Sequence, residues 1–136
     1  VLKKSLLVTI MVLASFSYFQ PKAGAYYECS STYGCVDVYL KYNEAQWKSS
    51  KSIYLNKGQS FKYEFETEKR SVFHVSFGVY RSSDSKQVGP TLYAVGGGGN
   101  DYGYGTAPSS GYYYLLVGCK GGHDKRCEGG GDITKY

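Results

Sequence analysis

Few side chains in this sequence are equipped for catalysis. His74 and His123 are the only histidines, so a Ser-His-Asp triad or an imidazole acid–base site has to use one of them. His74 falls on the polar side of an alternating stretch with Ser76 and Tyr80, and His123 sits at a basic tip beside Asp124, Lys125 and Arg126. Neither lies in a nucleophile motif. Glu64 and Glu66 are two residues apart, which on a strand places both on one face about 7 Å from each other, a separation open to glycoside hydrolysis. With Lys62 on the same face, a solvated strand surface is the simpler reading, and no enzyme is expected. Asp84, Asp101, Asp124 and Asp132 are scattered, whereas a calcium site gathers roughly six to eight oxygens, usually from acids close in sequence. Neither a metal nor a cofactor is expected.

The most unusual composition is Gly96-Gly97-Gly98-Gly99-Asn100-Asp101-Tyr102-Gly103-Tyr104-Gly105. A phosphate-cradling glycine loop has a helix N-terminus behind it and usually a Lys-Ser/Thr pair; neither follows here. The expectation is a flexible loop, in the place where β-sandwiches usually bind. Tyr102 and Tyr104 would stack on sugar faces while Asn100 and Asp101 bind hydroxyls. These four are the candidate ligand-binding residues, and a glycan or cell-envelope component is the expected partner. A small, loop-rich exported chain fits equally well an antimicrobial factor or an enzyme inhibitor whose partner is a target protein.

The four cysteines bear on compartment as much as on chemistry. Lys3 and Lys4 precede an apolar run of about 14 residues, Leu6 to Phe19, and Ala23-Gly24-Ala25 follows, the layout of a secretory signal peptide cut after residue 25. The run is short of the ~20 residues that span a bilayer, so no stable membrane insertion is expected after cleavage. Tyr26, Tyr27 and Glu28 separate Ala25 from Cys29, which disfavours lipidation. A secreted, extracellular domain of residues 26–136 results, and an even cysteine number there reads as a disulfide framework. Local pairs Cys29–Cys35 and Cys119–Cys127 would close loops of about 7 and 9 residues, worth roughly 2 to 3 kcal/mol each, against about 4.6 for a Cys35–Cys119 bridge. The glycines between Cys119 and Cys127 let the chain return on a neighbouring strand, so local pairing is expected. Cys119, His123 and Cys127 also have ligand types that zinc accepts, but their spacing needs a helix that the surrounding glycines oppose.

Removing the leader takes away Lys3, Lys4 and Lys22 and no acid, which lowers the formal charge from +5 to +2. That charge is spread along the chain, with Lys120, Lys125 and Arg126 interleaved with Asp124 and Glu128, so no nucleic-acid partner is expected. The length allows one domain.

Period-2 alternation must position all of these residues. Val36, Val38, Leu40 and Tyr42 alternate with Asp37, Tyr39 and Lys41, and Phe61, Tyr63 and Phe65 with Lys62, Glu64 and Glu66, each a half-buried strand. Ile53 and Leu55 make a short strand. Phe73, Val75, Phe77 and Val79 make another, expected to form an antiparallel hairpin with 61–66. Leu92 to Val95 reads as a weaker strand and Tyr112 to Val117 as a central one, while Asn43 to Ser50 has room for a helical turn or two. The fold class is all-β, a single antiparallel sandwich or jelly roll. With one Met and few Leu and Ile, tyrosine is expected to supply much of the burial.

Lys57-Gly58-Gln59-Ser60-Phe61-Lys62-Tyr63-Glu64-Phe65 and Ala107-Pro108-Ser109-Ser110-Gly111-Tyr112-Tyr113-Tyr114-Leu115-Leu116-Val117 resemble two strand motifs of small secreted bacterial β-sandwich modules of the pre-peptidase C-terminal type. The resemblance spans about half of the chain. It implies a jelly-roll accessory module without catalytic residues of its own. The strand Ser76-Phe77-Gly78-Val79-Tyr80 lacks the acidic segment that such modules often carry before it, so a calcium or substrate role does not carry over.

Overall fold

Alternation decides which side of each strand is buried. In the computed structural model, which describes Cys29 and residues 34–136, Phe61, Tyr63 and Phe65 are buried while Lys62, Glu64 and Glu66 face outward. The expected signal peptide, residues 1–25, lies outside the described residues. The order of elements is β1 (Cys35–Leu40), β2 (Trp47–Ser49), β3 (Ile53–Leu55), β4 (Ser60–Thr67), β5 (Val75–Arg81), β6 (Gln87–Ala94), β7 (Asn100–Thr106), β8 (Gly111–Cys119) and β9 (Gly129–Lys135). One sheet runs β1-β9-β4-β7; the other runs β2-β8-β5-β6, with β3 also paired to β8. Neighbours are antiparallel throughout. Leu40, Phe61, Phe65 and Ile133 from the first sheet and Leu55, Phe77, Tyr113 and Leu115 from the second close one core between them, so the all-β sandwich holds.

β4 and β5 do not form a hairpin. They lie in different sheets, β4 between β9 and β7 and β5 between β8 and β6. The connector 68–74 turns inward to cross the sandwich: Ser71 is buried, and its hydroxyl donates to the Phe73 carbonyl at 3.1 Å. β5 is buried on both faces from Val75 to Val79, a position suited to mid-sheet, which a charged hairpin partner would not have given it. The expected helical turns at 43–50 are instead a turn and the short edge strand β2, with Asn43 at φ 62 reversing the chain. β6 begins at Gln87, earlier than expected, and carries Pro90, which an edge strand tolerates.

The crossovers gather at one end. Thr67, buried at the end of β4, donates its hydroxyl to the Val95 carbonyl at 2.6 Å and accepts the Gly98 N–H at 3.1 Å. The Val72 N–H donates to the Arg126 carbonyl and the Glu68 N–H to that of Glu128, both at 2.8 Å. Both local disulfides are present, Cys29–Cys35 and Cys119–Cys127. The second does not join neighbouring strands of one sheet: it pins the segment that leaves β8 and enters β9 across the sandwich.

Tyrosine supplies less of the core than expected. Among the described tyrosines only Tyr63 and Tyr113 are buried, their hydroxyls donating to the carbonyls of Pro90 and Ser109 at 2.8 and 2.6 Å. Phenylalanine, valine and leucine fill the interior, and most tyrosines stand on the two outer faces.

Candidate functional site

The Asn100–Gly105 segment was expected as a loop, and it is a strand. β7 pairs with β4 in antiparallel register from Ser60↔Thr106 to Glu66↔Asn100, and only 95–99 remain as the turn that feeds it. The reason lies in its glycines. Gly103 and Gly105 face inward, where a β-carbon at Gly103 would stand 2.9 Å from Leu92 Cδ1 and 3.2 Å from the Tyr63 ring, and one at Gly105 would collide with the Phe61 ring. The β4 rings occupy the space that side chains of β7 would need, so a strand without hydrophobic residues is still packed.

Alternation then turns Tyr102 and Tyr104 outward, with 59% and 55% of their surface exposed, and Asn100 points the same way. Asp101 falls on the opposite parity; its Oδ1 accepts the Tyr102 N–H at 2.9 Å. Three of the four candidate residues therefore share a face, and the fourth does not.

Register across the sheet supplies neighbours that sequence reasoning missed. Tyr104 stands in a row with Lys62 and Thr134; Tyr102 stands in a row with Glu64, Asp132 and Asp37; Asn100 stands in a row with Glu66 and Gly130. Lys62 Nζ lies 5.2 Å from the centre of the Tyr102 ring, a cation–π distance, and 3.1 Å from Glu64 Oε2. The Glu64 hydrogen bond raises the Lys62 pKa. Asp132 is only 6% exposed. Burial first, and then the charge of Glu64, push its pKa up to about 6, against the opposing pull of the Thr134 hydroxyl, which donates to Asp132 Oδ1 at 3.0 Å. Tyr136 closes one side, its ring 5.3 Å from that of Tyr104, and with Ser60, Gly105 and Thr106 the two rings line a shallow depression. The Tyr102 and Tyr104 rings are 6.1 Å apart and almost perpendicular, at 87°. They make a corner, one ring offering a face and the other an edge.

The chain matches no family model and no curated protein sequence. Solved structures share its fold at low identity. It is similar to PliG of Aeromonas hydrophila, a periplasmic inhibitor of g-type lysozyme, at 12% identity and a TM-score of 0.53 over 80% of this chain and 92% of that one. It is also similar to the pre-peptidase C-terminal domain of a Bacillus anthracis collagenase, at 13% identity, a TM-score of 0.47 and coverage of 75% and 87%. A third is the N-terminal cellulose-binding domain of Cellulomonas fimi β-1,4-glucanase C, at 10% identity, a TM-score of 0.47 and coverage of 84% of both chains.

The histidines stand apart from this face. His74 packs edge-on against Tyr93, 5.6 Å between centres, and His123 is exposed at the tip beyond β8. Among the described residues no group of three or more His, Cys, Asp or Glu is placed to hold a metal ion. No helix of the described residues is long and apolar enough to cross a membrane.

Proposed function

We propose that this is an exported, non-enzymatic protein that binds a glycan on the outer face of the β1-β9-β4-β7 sheet, with Tyr102 and Tyr104 as the gripping residues. One observation carries the proposal: two exposed tyrosine rings are fixed at right angles on a glycine-backed strand, directly beside a row of carboxylates and a lysine. A sugar ring has apolar C–H faces and a rim of hydroxyls. Tyr102 and Tyr104 provide aromatic surface for the former at little entropic cost. Glu64 accepts from the latter, Lys62 donates, and charge assistance makes such bonds stronger than neutral ones. Because the rings form a corner, a single flexible polysaccharide chain suits the site better than a flat crystalline surface. Two disulfides fit an oxidising compartment, and export with loss of residues 1–25 belongs to the same proposal; sequencing of the exported form should begin at Tyr26.

Affinity electrophoresis through gels containing soluble cell-wall polysaccharides tests the site. The protein should be retarded, and Tyr102→Ala/Tyr104→Ala should weaken binding at least about tenfold, or ~1.4 kcal/mol. Equal retardation of the double variant, with its fold intact by circular dichroism, would defeat the assignment. The row Asp37, Asp132 and Glu64 also favours a second reading, an inhibitor that docks on a cationic enzyme. Inhibition of a g-type lysozyme that disappears with Glu64→Lys and survives the tyrosine pair would select that reading instead.

A further inference from the structure

The opposite face of the sandwich carries an aromatic feature of a different kind. Trp47, the single tryptophan of the chain, sits on edge strand β2 opposite Gly118. Its indole lies across the backbone of Gly118 and Gly122, so close that a β-carbon at either glycine would overlap the ring. One face of the indole is thus seated on bare backbone, and 48% of the residue remains exposed. An exposed tryptophan held in this way is a rigid platform with little entropy left to lose.

Beside it the sheet surface dips into a depression lined by Trp47, Ser76, Gly78, Tyr80, Thr91 and Leu116. Its floor is low because Gly78 and Ser76 are small, and the Ser76 hydroxyl is turned down onto the Gly118 carbonyl at 3.3 Å. On the far side Tyr80 Oη donates to Gln87 Oε1 at 3.3 Å, and Gln87 Nε2 donates to Thr91 Oγ1 at 2.7 Å. This chain holds the Gln87 amide over Gly78, where a β-carbon would approach Nε2 to 2.9 Å. An amide and two hydroxyls so arranged still have a free N–H, a hydroxyl proton and acceptor lone pairs to offer. None of the described residues lining the depression is charged, unlike the Tyr102 face with its acids and lysine.

A flat apolar platform facing a fixed, uncharged set of donors and acceptors matches one ligand chemistry well: the C–H face and equatorial hydroxyls of a pyranose. We propose that the outer face of the β2-β8-β5-β6 sheet is a second glycan site, in which the Trp47 indole takes the apolar face of a neutral hexopyranose and the Tyr80–Gln87–Thr91 group takes its hydroxyls. Charged sugars are disfavoured because no counter-charge lines the depression. The site is independent of the Tyr102 face, so the protein can engage two chains, or two segments of one, with the gain in retention that linked sites bring.

Trp47 is itself the reporter. The full chain is titrated with cellohexaose, laminarihexaose, maltohexaose and mannohexaose up to about 1 mM, with polygalacturonate as the charged control, and tryptophan emission is followed. A saturable change with at least one neutral hexasaccharide is expected, along with none for polygalacturonate. Tyr102→Ala/Tyr104→Ala should leave the response unchanged, which separates this proposal from the one above. Gly118→Ala keeps the tryptophan but lifts it from its seat, and should weaken binding at least tenfold by calorimetry. Gln87→Ala, at an exposed position of edge strand β6, should weaken it several-fold should the glycine variant prove unstable. No emission change with any of the four neutral sugars overturns the proposal. So does a response that the tyrosine double variant abolishes, or one that neither Gly118→Ala nor Gln87→Ala weakens.

Discussion

Replacing Cys119 and Cys127 together by alanine is expected to cost about 3 to 4 kcal/mol of stability, and the same change at Cys29 and Cys35 about 2. The two bridges close loops of similar length, with sequence separations of 8 and 6, so unfolded-state entropy assigns them nearly equal effects. The difference arises in the folded state. Cys119 and Cys127 are completely buried in the core, and alanine there leaves a void whose lining cannot fully close. Their bridge also holds the 120–128 crossover against the 68–74 crossover. The Lys120 N–H donates to the His74 carbonyl at 2.9 Å, and the Val72 and Glu68 N–H groups donate to the carbonyls of Arg126 and Glu128. Without the bridge the entry into β9 is tied by these bonds and a few other non-covalent contacts, among them the Asn43 N–H to the Lys125 carbonyl and the Glu128 N–H to the Ser71 hydroxyl, and β9 is a central strand between β1 and β4. Urea unfolding of both double variants decides the matter. Equal losses, or a larger loss for the Cys29–Cys35 pair, would mean that the crossover contributes nothing beyond loop closure.

What the sequence made legible follows from who carries the hydrophobic side chain. β1, β4 and the middle of β8 alternate in their own residues, and their positions could be read directly. β7 and β9 could not, because most of their inward positions are glycines covered by rings from β4: Phe61 over Gly105, Tyr63 beside Gly103, Phe65 over Gly129 and Gly131, with Ile133 the one large apolar side chain among them. Most of the apolar signal of these strands is written on β4. In retrospect Tyr102-Gly103-Tyr104-Gly105 has a period of two, with glycine standing where a hydrophobic residue would normally appear. A glycine-rich stretch reads as a loop because glycine carries no hydropathy of its own. The tyrosine pair was found by composition alone, whereas Lys62, Glu64, Asp132 and Thr134 join it through pairings between strands distant in sequence. The same logic hid the Trp47 platform, which exists only because Gly118 and Gly122 lie beneath it.

The two faces also differ in how they respond to acid, because only one buries a carboxylate. Asp132→Asn is expected to stabilise the protein by about 2 to 3 kcal/mol at pH 7.5 and to have little effect near pH 4. Asp132 stands on β9 with Glu64 and Lys62 facing it from β4, and Asp37 of β1 opposite in register. Burial and the Glu64 charge raise its pKa to about 6, from an ordinary carboxylate value of 3.8. A carboxyl that binds its proton more tightly when folded contributes fully below the unfolded pKa. That contribution is lost as pH rises through about 6, where the buried group must ionise. Two pKa units correspond to roughly 3 kcal/mol. Asparagine keeps the size and the acceptor for the Thr134 hydroxyl, and its amide can donate toward Glu64, so it reproduces the protonated state at every pH. Stability of the natural protein should therefore fall between about pH 4 and pH 6.5 by more than that of the variant, and Glu64→Gln should make the fall smaller and end it at lower pH by removing the negative charge that helps to raise the Asp132 pKa. The direction of that last shift follows from the sign of the coupling: removing a neighbouring negative charge lowers the Asp132 pKa toward 3.8, so the penalty of ionising it shrinks and the slope flattens. Parallel pH profiles for the natural chain and Asp132→Asn would show that the carboxylate is solvated after all, and the Tyr102 face would then present three ordinary surface acids.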